Sequence, residues 1–339
     1  MDNNDNTYEC IYSNSSHGKN KHHKSSNKKK KTIIIISIIL GVILVACAGM
    51  YFYANSTLNK VERIDLGDDL GITQDGNFNK DIINIAFYGL DTRYEDDGGR
   101  TDSIMIATID KVHNKIKLTS IARDTYVSID GRGKDKINHA WAFGKAPLAV
   151  KTLNQNFNLD ITEFVSLNFY QFANIIDYLG GVTLDISDAE VEFINNNMHE
   201  TNNMGITSQP LTHSGVQVLS GAQALAYSRD RYTSPNGDVG RGNHQRKVIE
   251  AAIEKVKGIN KVKYPELISM VLSNCTTSLN NNEMLSIGTW AATSSPSIED
   301  YNLPNDQCNA QGQMIDGVWY FVYDLDNATR LLKNFIYEN

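Results

Sequence analysis

Arg229, Arg231, Arg241 and Arg246 stand within eighteen positions of AYSRDRYTSPNGDVGRGNHQR, residues 226–246, in a chain with only ten Arg against twenty-two Lys. A guanidinium fork binds phosphate oxygens through paired hydrogen bonds, where an ammonium offers a point charge. Arg229 and Arg231 alternate, so an extended backbone would turn them to the same side. Arg241 stands at the expected start of a helix, where free backbone N–H groups favour anions. Like charges grouped in this way call for an anion to offset them, and a diphosphate fits. A solvated basic face balanced by Asp230 and Asp238 accounts for the same residues without a ligand.

Three further stretches carry chemistry. In GLDTRYEDDGGRTDS, Asp91 ends an apolar run, and Arg100 and Asp102 open the next one. A strand–loop–strand layout would bring both carboxylates to one sheet edge, where ligands of α/β proteins tend to bind. Two carboxylates beside an arginine suit a hard divalent cation shared with phosphate oxygens; turn and capping roles for Asp91 and Asp102 are the structural alternative. In SIARDTYVSI, Arg123 and Asp124 follow a third strand and face the same edge or form a surface ion pair. In KINHAWAFG, Lys136 precedes Asn138, a good helix N-cap; taken alone, Lys136 reads as a solvated lysine rather than a phosphate contact. No Walker loop, zinc-ligand spacing or Gly-x-Ser-x-Gly elbow is present.

The elements that must position these residues form a mixed pattern. Strands are expected at 82–91, 103–110, 115–122, 164–168, 182–186 and 318–324, with a hairpin turn at KVHN. Helices are expected from Asn138 or Lys145 to Phe157, at 169–181 with a glycine cap, from Leu219 to Tyr227, from Asn243 to Lys257 and at the C-terminus to Phe335. Residues 187–215 read as a long excursion. The alternation predicts an α/β domain, a central mixed β-sheet flanked by helices in three layers.

The N-terminus differs. Residues 1–32 hold seven lysines, and residues 33–54 carry no charge. Twenty-two helical residues span about 33 Å, enough to cross a bilayer. The lysines place the N-terminus in the cytoplasm. The expected organisation is thus a basic cytoplasmic tail (1–32), a single transmembrane helix (33–54), a polar stalk (55–80) and an extracellular domain (81–339) on the cell membrane. A lipidated signal peptide cleaved before Cys47 is the competing reading, and it anchors the protein on the same face. The tail holds +4 of the net −7, so the rest carries −11. So acidic a domain is a poor partner for nucleic acid. Cys275 and Cys308 either pair or remain thiols.

GLDTR…RTDSI, SIARDT, KINHA, GGV at 180–182, LSGAQALAYSRDR and DVGR…Q together resemble the LytR–CpsA–Psr family of bacterial cell-envelope proteins, over about residues 82–257. That resemblance implies a phosphotransferase. It would move an anionic glycopolymer (teichoic acid, capsule or secondary wall polysaccharide) from a polyprenyl-diphosphate carrier to peptidoglycan through a phosphodiester, assisted by Mg2+, or Mn2+ in its place. Carried over by position, Asp91 and Asp102 would hold the metal, and Arg100, Arg123, Arg229, Arg231 and Arg241 would contact the phosphates, with Lys136 and Gln245 beside them. An apolar lipid tunnel would draw on Leu148, Phe172, Ile175 and Ile176, which a generic core explains equally well. His244 stands where the family often has Arg, Arg246 where it has Gln, and Ala122 where proline is usual. Hydrolysis of the carrier diphosphate is the rival chemistry. A regulatory attenuator role is the rival class, although a 32-residue tail has no room for a DNA-binding fold. Asp238 is a conceivable general base that nothing in the sequence fixes.

Overall fold

The computed structural model describes residues 56, 58–73, 78–91, 99–198, 207–234, 237–260 and 263–338. The expected tail and membrane span (1–54), with Cys10 and Cys47, lie outside the described residues. Among the described residues no helix is long and apolar enough to cross a membrane.

In chain order the strands and helices are β1 (Glu62–Arg63), β2 (Ile82–Asp91), β3 (Arg100–Asp110), β4 (Lys115–Ile121), β5 (Tyr126–Ile129), β6 (Gly133–Lys136), α1 (His139–Phe157), β7 (Glu163–Asn168), α2 (Phe169–Tyr178), β8 (Val182–Ile186), α3 (Asp188–Asn197), β9 (Gly215–Leu219), α4 (Gly221–Ser228), α5 (Gly237–Lys257), α6 (Tyr264–Leu272), β10 (Thr276–Thr277), α7 (Asn281–Ser294), β11 (Ser297–Leu303), β12 (Gln311–Ile315), β13 (Val318–Val322) and α8 (Leu325–Tyr337). Seven strands form the central sheet in the order β1-β10-β7-β2-β3-β4-β11. β2 runs parallel to β7, β4 runs parallel to β11, and β3 is antiparallel to both β2 and β4. The sheet is therefore mixed, and the ends of β2, β4, β7 and β11 converge with the start of β3 on one edge.

β2 is apolar on both faces because both faces are covered. Ile82, Ala86 and Tyr88 join the main core with Trp141, Leu153 and Phe157 of α1 and Leu332 and Ile336 of α8. Ile83 and Ile85 turn the other way, toward Leu279 and the α7 residues Met284, Ile287 and Trp290. Helix–sheet–helix layering follows, as expected. The segment expected as a stalk contributes β1, which pairs with β10, and Leu66, which enters the main core.

Several boundaries depart from the sequence reading. α1 contains non-helical dihedrals at Gly144 and Lys145, so both proposed starts are right in part: one turn begins at His139 and the helix resumes after the kink. Asn138 makes no side-chain capping bond. The 187–215 stretch is not a plain excursion. A capping box between Ser187 and Glu190 starts α3, and β9 pairs with β8 as a separate hairpin. Cys275 and Cys308 are both buried and unpaired. At the far end of the sheet the buried Lys117 ammonium lies 2.8 Å from Asp110 and 2.9 Å from Glu338. A lysine thus occupies the place a cation would take among Asp110, His113 and Glu338.

Candidate active site

The site is built at the converging strand ends. Asp91 closes β2 directly opposite Arg100, the first residue of β3. The register shifts between Gly89 and Leu90, which pair with Ser103 and Thr101, so Asp102 is left as the extra residue of a β-bulge. Bulges re-aim side chains, and this one turns Asp102 toward the neighbouring strand, where it accepts a hydrogen bond from the Arg123 guanidinium. Arg123 follows β4 at the same edge, as its position after a third strand predicted. Asp124 then ties the next cation in: its carboxylate lies 3.5 Å from the Arg123 Nε and accepts from the Lys136 Nζ at 2.7 Å. Lys136, expected to be solvated, is instead partly buried in this ion pair, with its ammonium 5.8 Å from the Tyr320 ring centre.

α5 supplies the other wall. Gly242 lets it approach β4 closely, since an added Cβ would stand 3.3 Å from the Ser120 Cβ. Arg241 is buried there, and with Gln245, Asp102, Ser103 and Ser120 it lines a small polar cavity open to solvent. Gln245 also lines a second cavity, walled mainly by apolar side chains, among them Phe87, Met105, Phe169, Phe172, Leu225 and Ile249. Gln245 and Ser103 line both cavities. Of the four expected tunnel residues only Phe172 is a wall. Leu148 packs against the main core, Ile176 is buried in a second cluster with Tyr227 and Val248, and Ile175 is not among the lining residues.

The arginine stretch is arranged differently from its sequence reading. Arg229 ends α4 with helical dihedrals (φ −97°, ψ −5°), so the segment is not extended there. Its guanidinium lies 4.9 Å from the Phe169 ring centre, beside the apolar cavity, whereas Arg231 is exposed and lies 6.0 Å from the Tyr232 ring centre. α5 begins at Gly237, four residues before Arg241. The amides left free at a helix start therefore belong to residues before Arg241, which contributes a side chain rather than a helix terminus. The side chain of Asp238 lies outside what the structure describes.

Arg246 serves the scaffold. Its buried guanidinium donates to Asp300 at 3.1 Å, to Asn302 at 2.5 Å and to Asn243 at 2.6 Å, clamping α5 to β11. Burial lowers its pKa, and Asp300 opposes that shift. Sequence reasoning placed Asp124 beside Arg123, as the ion pair shows, and did not find Ser103, Ser120 or Asn302. No local pattern marks the two serines, since Ser120 pairs with Met105 rather than with Ser103.

Asp91 and Asp102 offer only carboxylate oxygens from adjacent strands, a donor set that suits a hard divalent cation such as Mg2+.

The LytR_cpsA_psr family model matches residues 48–336. The polyisoprenyl-teichoic acid–peptidoglycan teichoic acid transferase TagU of Enterococcus faecalis is 34% identical over 316 residues, covering 88% of this chain and 96% of that protein. The TagU of Bacillus anthracis is 33% identical over 304 residues, covering 87% and 93%. Among solved structures, TagT bound to LI-WTA superposes with a TM-score of 0.63 at 26% identity, covering 80% of this chain and 99% of that one. The motifs grouped at one sheet edge, the three-layer fold and these matches agree: the chain belongs to the LytR–CpsA–Psr family.

Proposed function

We propose that this protein is a phosphotransferase that moves an anionic glycopolymer from a polyprenyl-diphosphate carrier to peptidoglycan; its TagU relatives are named polyisoprenyl-teichoic acid–peptidoglycan teichoic acid transferases. The observation that carries the reading is the meeting of a polar cavity that holds Arg241 and an apolar one at Gln245 and Ser103. A ligand with a charged head and a hydrocarbon tail fits both at once. In the reaction an acceptor hydroxyl attacks the phosphorus that bears the sugar. A new P–O bond forms, the bond to the bridging oxygen breaks, polyprenyl monophosphate leaves, and the hydroxyl proton passes to a base or to solvent.

Positioning and charge stabilisation dominate such chemistry. Arg241 and Gln245 hold the diphosphate in the polar cavity, and Arg229, stacked on Phe169, holds it where the tail enters the apolar one. Arg123 is preset by Asp102 and Asp124 to face the same oxygens, with Lys136 behind it. Arg100 and Arg231, both exposed, meet the outer phosphate oxygens and the glycan side. Asp91 and Asp102 would hold Mg2+, which when bound neutralises diphosphate charge. The uncharged 33–54 stretch and the lysines before it support a membrane anchor with this site outside the cell.

Binding by the full chain in detergent tests the reading. A polyprenyl diphosphate should raise the thermal midpoint, while a polyprenyl alcohol or inorganic diphosphate alone should raise it far less. Equal shifts from either half would contradict a site that joins the two cavities.

A further inference from the structure

His244 is buried at the centre of a polar knot behind the site. Its Nδ1 lies 3.0 Å from the backbone carbonyl of Asp230 and its Nε2 lies 3.2 Å from the Glu190 Oε1, while the ring packs on Tyr227 with centres 4.5 Å apart. A carbonyl only accepts, so Nδ1 carries a proton. The other Glu190 oxygen accepts from the Ser187 amide and hydroxyl, both at 2.7 Å, in the capping box of α3. The ring thus bridges the Asp230 carbonyl and the Glu190 carboxylate through its two nitrogens.

The knot joins three pieces of the site. Asp230 separates Arg229 from Arg231, and its fully buried carboxylate accepts from the Tyr232 and Thr233 amides and the Thr233 hydroxyl, which fixes that turn. Three residues before His244 on α5 stands Arg241, and the next residue is Gln245. Glu190 comes from α3. The other ionisable groups around the ring are Tyr227 of α4, whose buried hydroxyl has no partner among the described residues, and Asp185 of β8, which acts on that hydroxyl.

We propose that His244 is a positioning residue: bonded at both ring nitrogens, it pins the Arg229–Arg231 turn and α3 to the helix carrying Arg241 and Gln245. This rests on the proposed phosphotransfer, and the test has an arm independent of activity.

His244→Ala and Glu190→Gln together test it in the full chain at one pH. His244→Ala should lower kcat about tenfold with KM changing less, since a small misplacement of charged groups costs rate more than binding, and hydrogen exchange of the Tyr232 and Thr233 amides should speed up. Glu190→Gln keeps the capping box and a hydrogen-bonding group opposite the ring, and should stay close to the parent in both readouts. Parental kcat and exchange in His244→Ala, with the thermal midpoint unchanged, would overturn the positioning role. If the parent transfers nothing, the phosphotransfer reading fails, and the exchange arm still decides the knot.

Discussion

Replacing Arg229 with lysine keeps the charge and removes the planar fork. Arg229 is half-buried at the end of α4 with its guanidinium over Phe169. A lysine there retains one charge-assisted hydrogen bond where the arginine makes two, a loss of about 1.5–3 kcal/mol. Weaker stacking on the aromatic face removes a further ~0.5–1 kcal/mol. Together these raise the barrier by about 2–4 kcal/mol, which corresponds to a rate roughly 30- to 800-fold lower. Arg231→Lys should cost less, because Arg231 is exposed and its charge is solvated. The assay is single-turnover release of polyprenyl monophosphate by the full chain, with thermal unfolding alongside to show that the fold is intact. Exposed charges contribute only ~0–1 kcal/mol, so a merely solvated basic face predicts near-parental rates for Arg229→Lys. That result, with an unchanged thermal midpoint, would refute the phosphate role of this residue.

Asp91→Asn and Asp102→Asn should each lower transfer by at least about tenfold if a metal is held there, and excess chelator should reproduce the loss in the parent; full activity in chelator would remove the metal. Introducing aspartate at Ile249, in the wall of the apolar cavity, should weaken long-chain polyprenyl diphosphates more than short-chain ones in competition assays. Lys117→Met should destabilise the fold by about 3–5 kcal/mol at neutral pH, since it strands the buried Asp110 carboxylate. Burial alone would raise the Asp110 pKa, but hydrogen bonds from Lys117 and His113 outweigh it and hold the group below the usual carboxylate range. Stability from a depressed carboxyl is present above its unfolded pKa and is lost as pH falls through the folded one. The deficit of Lys117→Met should therefore hold from pH 7 down to about pH 4 and shrink as denaturant unfolding is repeated below that.

The parts of the fold that were readable from sequence have strong local patterns. β2 announced itself as a run apolar on both faces, and the β3–β4 hairpin by two alternating runs around KVHN. The start of α5 was hidden because Gly237, Gly240 and Gly242 depress helix propensity; buried Arg241, His244 and Val248 override it through packing. β9 was missed because GVQVL is short and its two valines are exposed. Convergence of Asp91, Arg100, Asp102 and Arg123 on one edge was legible from their places at strand ends. What could not be read was side-chain direction: the bulge that aims Asp102 at Arg123 and the helical close of α4 that separates Arg229 from Arg231. The pairing of His244 with Glu190, 54 positions apart, leaves no trace in local sequence.

The central claim is transfer to a sugar hydroxyl rather than to water. Incubating the full chain with a polyprenyl-diphosphate glycan, Mg2+ and peptidoglycan fragments, and analysing the products by mass spectrometry, tests it most directly. The expected product is a glycan joined to peptidoglycan by a phosphodiester, with one polyprenyl monophosphate released per linkage and no product when the fragments are omitted. Free glycan phosphate formed equally with and without peptidoglycan would contradict it.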